Sequence, residues 1–445
     1  MSTLERTEEI SLSRDRRGGR TGWLVLLAMT VVVMFTNDSA REYLKVPIGE
    51  VHLIERDFFL YGLLALYLLN VVVSGRSPRM GAFGVHTLAI FGLYYLSVVN
   101  GLARGNEPKQ VFFHLRQVNY LLVYFPFLHF VSSPERLRGF LRLALGCAVV
   151  AACATFLLAV RYAASDLVVK NEFVWITGGA WGGFFHVRVA TAFFFGIVFS
   201  CVVAMWALRC KELFRKAQLL LCGLMGGALI LTVLRSYWLG LAVSALLLLL
   251  MVKYRTRLLV VGVFVTGAAL LAMYLFLPES DIGGFIRERW LSSLDRDSIA
   301  VADRILEHYI GMDLVRQSPW IGNGLGATIV VRLQSIGMTI ETSFSHNSFL
   351  TMLMFFGVVG CAFLAGVFVL VARKGVRALG ILEQKGDRFG MAIVGGCLAG
   401  VGGLLVTSVT AAAMNYATGF FFIGAVLGVT DRLMRFAALE GKGGG

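Results

Sequence analysis

Charge is scarce in this sequence. Only 15% of its residues are Asp, Glu, Lys or Arg, against about 25% in an ordinary soluble domain. Long polar stretches are scarcer still. Outside the N-terminal tail and a region near 278–345, apolar runs follow one another along the chain. Each is close to the roughly 20 residues that cross a ~30 Å hydrocarbon core. A water-soluble fold has too little polar surface to cover so many, so that class is excluded. The chain has no GxxxxGK[ST] loop, no Rossmann fingerprint and no HExxH, so nothing signals an ATPase, a redox enzyme or a zinc protease. The cysteines (Cys147, Cys153, Cys201, Cys210, Cys222, Cys361 and Cys397) lie in or beside apolar runs and never at CxxC spacing. Neither a disulfide framework nor a Cys-based metal site is expected.

What is there is a series of about twelve spans, near 21–36, 57–73, 81–103, 117–131, 139–160, 187–208, 217–234, 236–252, 258–277, 347–372, 389–410 and 414–431. The first follows Arg14, Arg16, Arg17 and Arg20, as a signal peptide would. No small-residue cleavage site follows it, so it reads as an uncleaved first helix. The net charge of +14 is unevenly spread. With the N-terminus inside, every short inside turn is basic: Arg76–Arg79, Arg136–Arg142, Arg209–Lys216, Lys253–Arg257 and Arg373–Arg388. The outer segments are close to neutral. This positive-inside pattern explains the charge without nucleic acid and puts both termini in the cytoplasm. The expected division is a tail (1–20), nine spans (21–277), a long outer loop (278–345), three spans (346–436) and a tail (437–445). The expected fold is an all-α polytopic bundle with a small helical loop domain on the outer face of an inner membrane.

Two outer segments stand out. One, near 161–187, carries Trp175, Gly178, Gly179, Gly182, Gly183 and His186. The other is the loop at 278–345. Apolar residues from Ile299 to Val315 recur at helical spacing and predict a helix over 298–317. Pro319 ends it, and Gly322, Gly324 and Gly326 then predict a flexible connection.

Ionisable residues at membrane edges are the candidates for chemistry, because burying a charge in lipid costs at least about 2.5–3.5 kcal/mol on insertion scales. Arg188, Arg235, Arg116 and Arg304 all fall on the outer side. Their forked guanidiniums suit phosphate oxygens; the alternative is that each snorkels to headgroups or pairs with a carboxylate. His346 opens the tenth span within Phe344-Ser345-His346-Asn347-Ser348. An imidazole there could take a proton from an attacking hydroxyl, or simply cap the helix. Glu341 is a candidate to orient that imidazole or to bind acceptor hydroxyls, and also reads as a solvated loop carboxylate. Asp295-Arg296-Asp297 is a weak metal-binding triplet. Asp38, Glu42, Glu50, Glu55 and Asp57 could supply a carboxylate to a metal-dependent alternative.

Two stretches of the loop region, ADRILEHYIGMDLVRQSPWIGNGLGA and SHNSFLTMLMFFGVVG, resemble the O-antigen ligase and O-antigen polymerase superfamily. Pro319, Gly322, Gly324, Gly326, His346 and Asn347 match its pattern. LTVLRSYWLGLAVS resembles an earlier arginine motif at Arg235, with Leu-Arg-Ser where the family usually has Ser-Arg-Gly. HVRVATAFFFG resembles a further arginine segment, more loosely, at Arg188. The resemblance covers about 185–435. It implies a glycosyltransferase that uses a glycan on undecaprenyl diphosphate, with neither metal, cofactor nor nucleotide sugar. Arg188 and Arg235 would hold the diphosphate, and His346 would activate the acceptor hydroxyl for attack with inversion. The acceptor would be lipid A-core in a ligase, the reading favoured here, or a second glycan in a polymerase. A transporter or flippase for a polyanionic lipid or glycan is the rival from another class, although no paired halves are visible.

Overall fold

A computed structural model describes residues 20–35, 46–48, 51–75, 77–163, 172–173, 176–181, 184–189, 192–212, 215–231, 235–251, 299–333, 338–411 and 413–440. The expected span at 258–277 and the triplet Asp295-Arg296-Asp297 lie outside these residues, as do Asp38, Glu42 and Glu50.

The protein is mainly helical. Among the described residues, six helices are long and apolar enough to cross a membrane: α2 (Glu55–Ser74), α3 (Gly84–Ala103), α6 (Pro134–Ala163), α11 (Ser348–Gln384), α12 (Arg388–Thr407) and α13 (Ala417–Glu440). Four shorter apolar helices accompany them: α1 (Arg20–Phe35), α7 (Ala192–Ala207), α8 (Gln218–Leu231) and α9 (Arg235–Met251). These ten coincide with ten of the expected runs.

The run at 117–131 is different. It is broken into the end of α4 (Pro108–Asn119), a 3-10 turn at Tyr120–Val123, and α5 (Tyr124–Phe130). Pro126 removes a backbone donor from this stretch. All of α5 is buried, so the run is apolar because it packs inside protein, not because it faces lipid. It lies against α13, itself almost wholly buried. A Cβ at Gly424 of α13 would come 2.8 Å from the Leu121 carbonyl oxygen, so the notch there admits only glycine. Small residues also bring α12 against its neighbours. A Cβ on Gly396 or Gly400 would strike the backbone of Cys201 or Ile197 in α7. Gly-xxx-Gly stripes of this kind let membrane helices approach closely, where apolar side chains alone gain nothing over lipid.

The fold is not purely helical. β1 (Val46–Ile48) pairs with β2 (Val51–Leu53), and β3 (Glu172–Phe173), β4 (Ile176–Trp181) and β5 (Phe184–Val189) form an antiparallel sheet in that order. In the described part of the long loop, α10 (Ile299–Gln317) occupies the predicted helix. A hairpin of β6 (Ile329–Leu333) and β7 (Met338–Thr342) follows, so the loop is helical only in part. β-Branched Ile329 and Val331 point inward and Val330 and Arg332 outward, the period-2 pattern of a half-buried strand.

The glycine-rich stretch between α10 and β6 is a second correction. It is not a flexible connection. Helix α11 breaks at Gly357 (φ 62°, ψ −170°), and the stretch fills the break. Asn323 N donates to Met354 O at 2.7 Å and Gly324 N to Phe355 O at 3.1 Å, while Val358 N and Val359 N donate to Pro319 O and Trp320 O. The backbone groups freed by the break are thus satisfied inside protein, as a lipid environment demands. The end of α3 clamps the other side. Leu325 N donates to Ser97 O, Asn106 donates to the carbonyls of Asn323 and Leu325, and Arg104 donates to Ser318. Gly322, Gly324 and Gly326 adopt φ of 71°, 80° and 80°. A Cβ on Gly324 would lie 2.2 Å from Gly101 N. The spacing of these glycines serves close backbone packing.

Candidate functional site

His346 lies two residues before α11. Its segment is held from three sides. Ser343 Oγ is 2.7 Å from His114 Nε2 and donates to Gln110 at 3.1 Å, both on α4. Phe344 stacks on Tyr416 with ring centroids 5.6 Å apart. Ser348 N donates to Ser408 O and its Oγ to Ala411 O. Burial lowers the His114 imidazole to about 3, so this histidine is a neutral strut at pH 7.

The partner of His346 is Glu307. Nδ1 of His346 lies 2.8 Å from Glu307 Oε2 and 3.0 Å from Oε1, and the His346 backbone N donates to Oε2 at 3.2 Å. The carboxylate is nearly sealed, at 4% exposure, while the imidazole is 56% exposed. A carboxylate accepts only, so this contact places the proton on Nδ1 and turns the lone pair of Nε2 outward. Nε2 has no hydrogen-bond partner among the described residues. A base oriented by a buried acid, with its working nitrogen open, is the geometry of proton abstraction from a hydroxyl.

The carboxylate against His346 is that of Glu307, not that of Glu341. Glu341 is exposed on β7 and accepts from Thr328 Oγ1 at 2.8 Å. Glu307 does not stand out in the sequence, because the helical pattern of α10 is set by its apolar residues. Ile305 and Tyr309 are in fact 42% and 65% exposed, whereas Asp303 and Glu307 are buried. The enclosed stripe runs through Asp303, Glu307, Gly311 and Val315. Beside a membrane, apolar side chains can face outward and ionisable ones inward. The i, i+4 pair of acids was the available signal.

The other candidates are dispersed. Asn347 caps α11, its Oδ1 accepting from Phe349 N at 2.9 Å and Leu350 N at 3.2 Å. Arg304 is exposed on α10, one turn before Glu307, and no ion pair holds it among the described residues. Arg116 is buried. Its Nη1 lies 3.5 Å from Asp57 Oδ2, and Tyr120 OH donates to Asp57 Oδ1 at 2.8 Å. Arg116 thus belongs to an internal charge cluster, the alternative raised for it, and Asp57 is its counter-ion. Of Arg188 and Arg235 only the backbone is described. Arg188 stands on β5 opposite Thr177, and Arg235 is the first residue of α9. Among the described residues no group of three His, Cys, Asp or Glu comes together as a metal site.

No curated protein matches the chain. Residues 220–365 match the family model of the O-antigen ligase. That match, about a third of the chain, takes in Arg235, Arg304, Glu307, the buried glycine stretch, Glu341, His346 and Asn347, and leaves out Arg116 and Arg188. That match supports the likeness of this part of the chain to the O-antigen ligase and polymerase superfamily.

Proposed function

We propose that the protein is a glycosyltransferase of the bacterial inner membrane that moves a glycan from undecaprenyl diphosphate to an acceptor hydroxyl on the periplasmic side. The observation that carries this reading is the Glu307–His346 pair, with Nε2 open and the acid buried behind it. His346 Nε2 takes the proton as the acceptor oxygen bonds to the anomeric carbon. The bond from that carbon to the diphosphate oxygen breaks on the opposite face, so the configuration inverts. Undecaprenyl diphosphate leaves with the electron pair. Glu307 stabilises the imidazolium that forms, and the proton then passes to solvent through the exposed ring.

Arg235 and Arg188 are the proposed holders of the diphosphate, where guanidiniums would stabilise its developing charge. Arg304, exposed one turn from Glu307, is the best placed of the described arginines to join them. The proposed topology has twelve spans, both termini in the cytoplasm and the 278–345 loop in the periplasm; the basic inside turns support it. Diphosphate is a good leaving group, so the reaction needs no ATP, and the donor carries its own activation.

The acceptor is proposed to be lipid A-core, which makes the protein an O-antigen ligase; a second glycan would make it a polymerase. The test incubates the purified full chain with an undecaprenyl-diphosphate glycan and, separately, lipid A-core or a second glycan. Product with lipid A-core supports the ligase. Product only with the second glycan replaces it by the polymerase. Flux of the labelled glycan across proteoliposomes without acceptor, and no product with either, would replace both by a transporter.

A further inference from the structure

A second charged cluster lies away from His346, where the 77–83 turn meets α13 and α11. Its centre is Asp431, both of whose oxygens accept hydrogen bonds. Oδ2 accepts from Ala82 N at 2.6 Å and from Tyr124 OH at 2.7 Å, and Oδ1 accepts from Arg435 Nε at 3.0 Å. Arg432 follows it in the chain and is only 5% exposed. Its Nε and Nη2 are buried without a hydrogen-bond partner. The charged groups acting on it are Arg79, Arg435 and Asp431. Lys374 of α11 reaches the same turn, donating to Ala82 O at 2.7 Å.

Four cations therefore gather around one carboxylate, and none of its hydrogen bonds goes to Arg432 Nε or Nη2. A buried guanidinium left without acceptors costs free energy, and an anion with several oxygens would remove that cost. Arg435 is 40% exposed and Arg79 half-buried, so the cluster is open toward its rim. The elements that lead to the cluster carry exposed apolar residues. Val72 and Val73 at the end of α2 are 75% and 78% exposed, and Val376 of α11 is 57% exposed. A phosphate bound here would have room for acyl chains along α2 and α11.

We propose that Arg432, with Arg79 and Arg435, binds the phosphate of an anionic phospholipid in the adjoining leaflet. By the bias of the basic turns this is the leaflet expected to be cytoplasmic, where anionic headgroups attract such pockets. The lipid would neutralise the cluster and fix the turn between α2 and α3 against α13. Free phosphate shares the headgroup chemistry but not the chains.

The test titrates the full-length protein in detergent with phosphatidylglycerol, phosphatidylcholine or inorganic phosphate. Bound lipid is counted by native mass spectrometry and Tm is followed by intrinsic fluorescence. Phosphatidylglycerol is expected to be retained and to raise Tm, and phosphatidylcholine to do neither. Arg432→Gln should weaken phosphatidylglycerol binding by roughly fivefold to tenfold. Arg79→Gln, at a half-buried position, should weaken it in parallel and serves where Arg432→Gln fails to fold. A Tm rise with inorganic phosphate equal to that with phosphatidylglycerol would overturn the lipid assignment in favour of free phosphate. Equal retention of phosphatidylglycerol by the wild type and either folded variant would overturn the site.

Discussion

Gly322 and Gly357 lie back to back. A Cβ on either would come within 2.5 Å of the other's backbone nitrogen. One residue belongs to the loop that follows α10, the other to the break in α11, so this contact joins the element carrying Glu307 to the helix that His346 precedes. Gly322→Ala or Gly357→Ala should therefore lower stability by at least about 2 kcal/mol, because each forces a side chain into backbone at a positive φ. Thermal unfolding in detergent checks this. Wild-type Tm for both variants would show that the joint is loose.

In the proposed reaction Glu307 acts through His346 and touches no reacting atom. Glu307→Gln keeps shape but loses the negative charge behind the imidazole. Its kcat should fall at least about tenfold, with donor KM and Tm nearly unchanged. The pH profile should change with it, and Glu307→Asp should recover part of the rate. A variant with lower Tm but wild-type kcat would reduce Glu307 to a packing role.

Arg116 and Asp57 form a buried pair, and breaking one partner of such a pair costs about 3–5 kcal/mol. Asp57→Asn and Arg116→Ala should both unfold at lower temperature, and the folded fraction should keep its donor KM. A raised KM with unchanged stability in Arg116→Ala would return this arginine to the donor site.

His114 gives the fold a pH dependence. Its folded value is depressed to about 3 by burial, from the ordinary 6.5. The unfolded chain thus binds the proton first, and stability contributed above 6.5 is lost as pH falls toward 3. The slope is about 1.4 kcal/mol per pH unit in that window. Unfolding measured between pH 7.5 and 5 should show the loss, and His114→Asn should flatten it. Parallel curves for the two proteins would contradict the assignment.

Much of this was legible in the chain. Apolar runs located ten helices, since lipid demands length and apolar composition together, but not all of their ends: α11 continues to Gln384 and α13 to Glu440, well past the apolar runs expected at 347–372 and 414–431. Three features were not. The run at Tyr124–Phe130 looked like one unbroken, lipid-facing helix because a segment buried in protein is as apolar as one in lipid. Gly322, Gly324 and Gly326 looked like a hinge because glycine serves both freedom and close approach. Glu307 was hidden because the apolar residues of α10 mark the exposed face, and only a partner distant in sequence reveals which acid is enclosed.

The central claim is that His346 Nε2 is the base of glycan transfer. The most direct measurement is single-turnover transfer from an undecaprenyl-diphosphate glycan to lipid A-core or a second glycan, by the purified wild type and by His346→Ala of matched Tm. The account predicts a rate at least about 100-fold lower in the variant, the usual scale of a lost general base, with donor binding retained. Transfer by folded His346→Ala at the wild-type rate would contradict it.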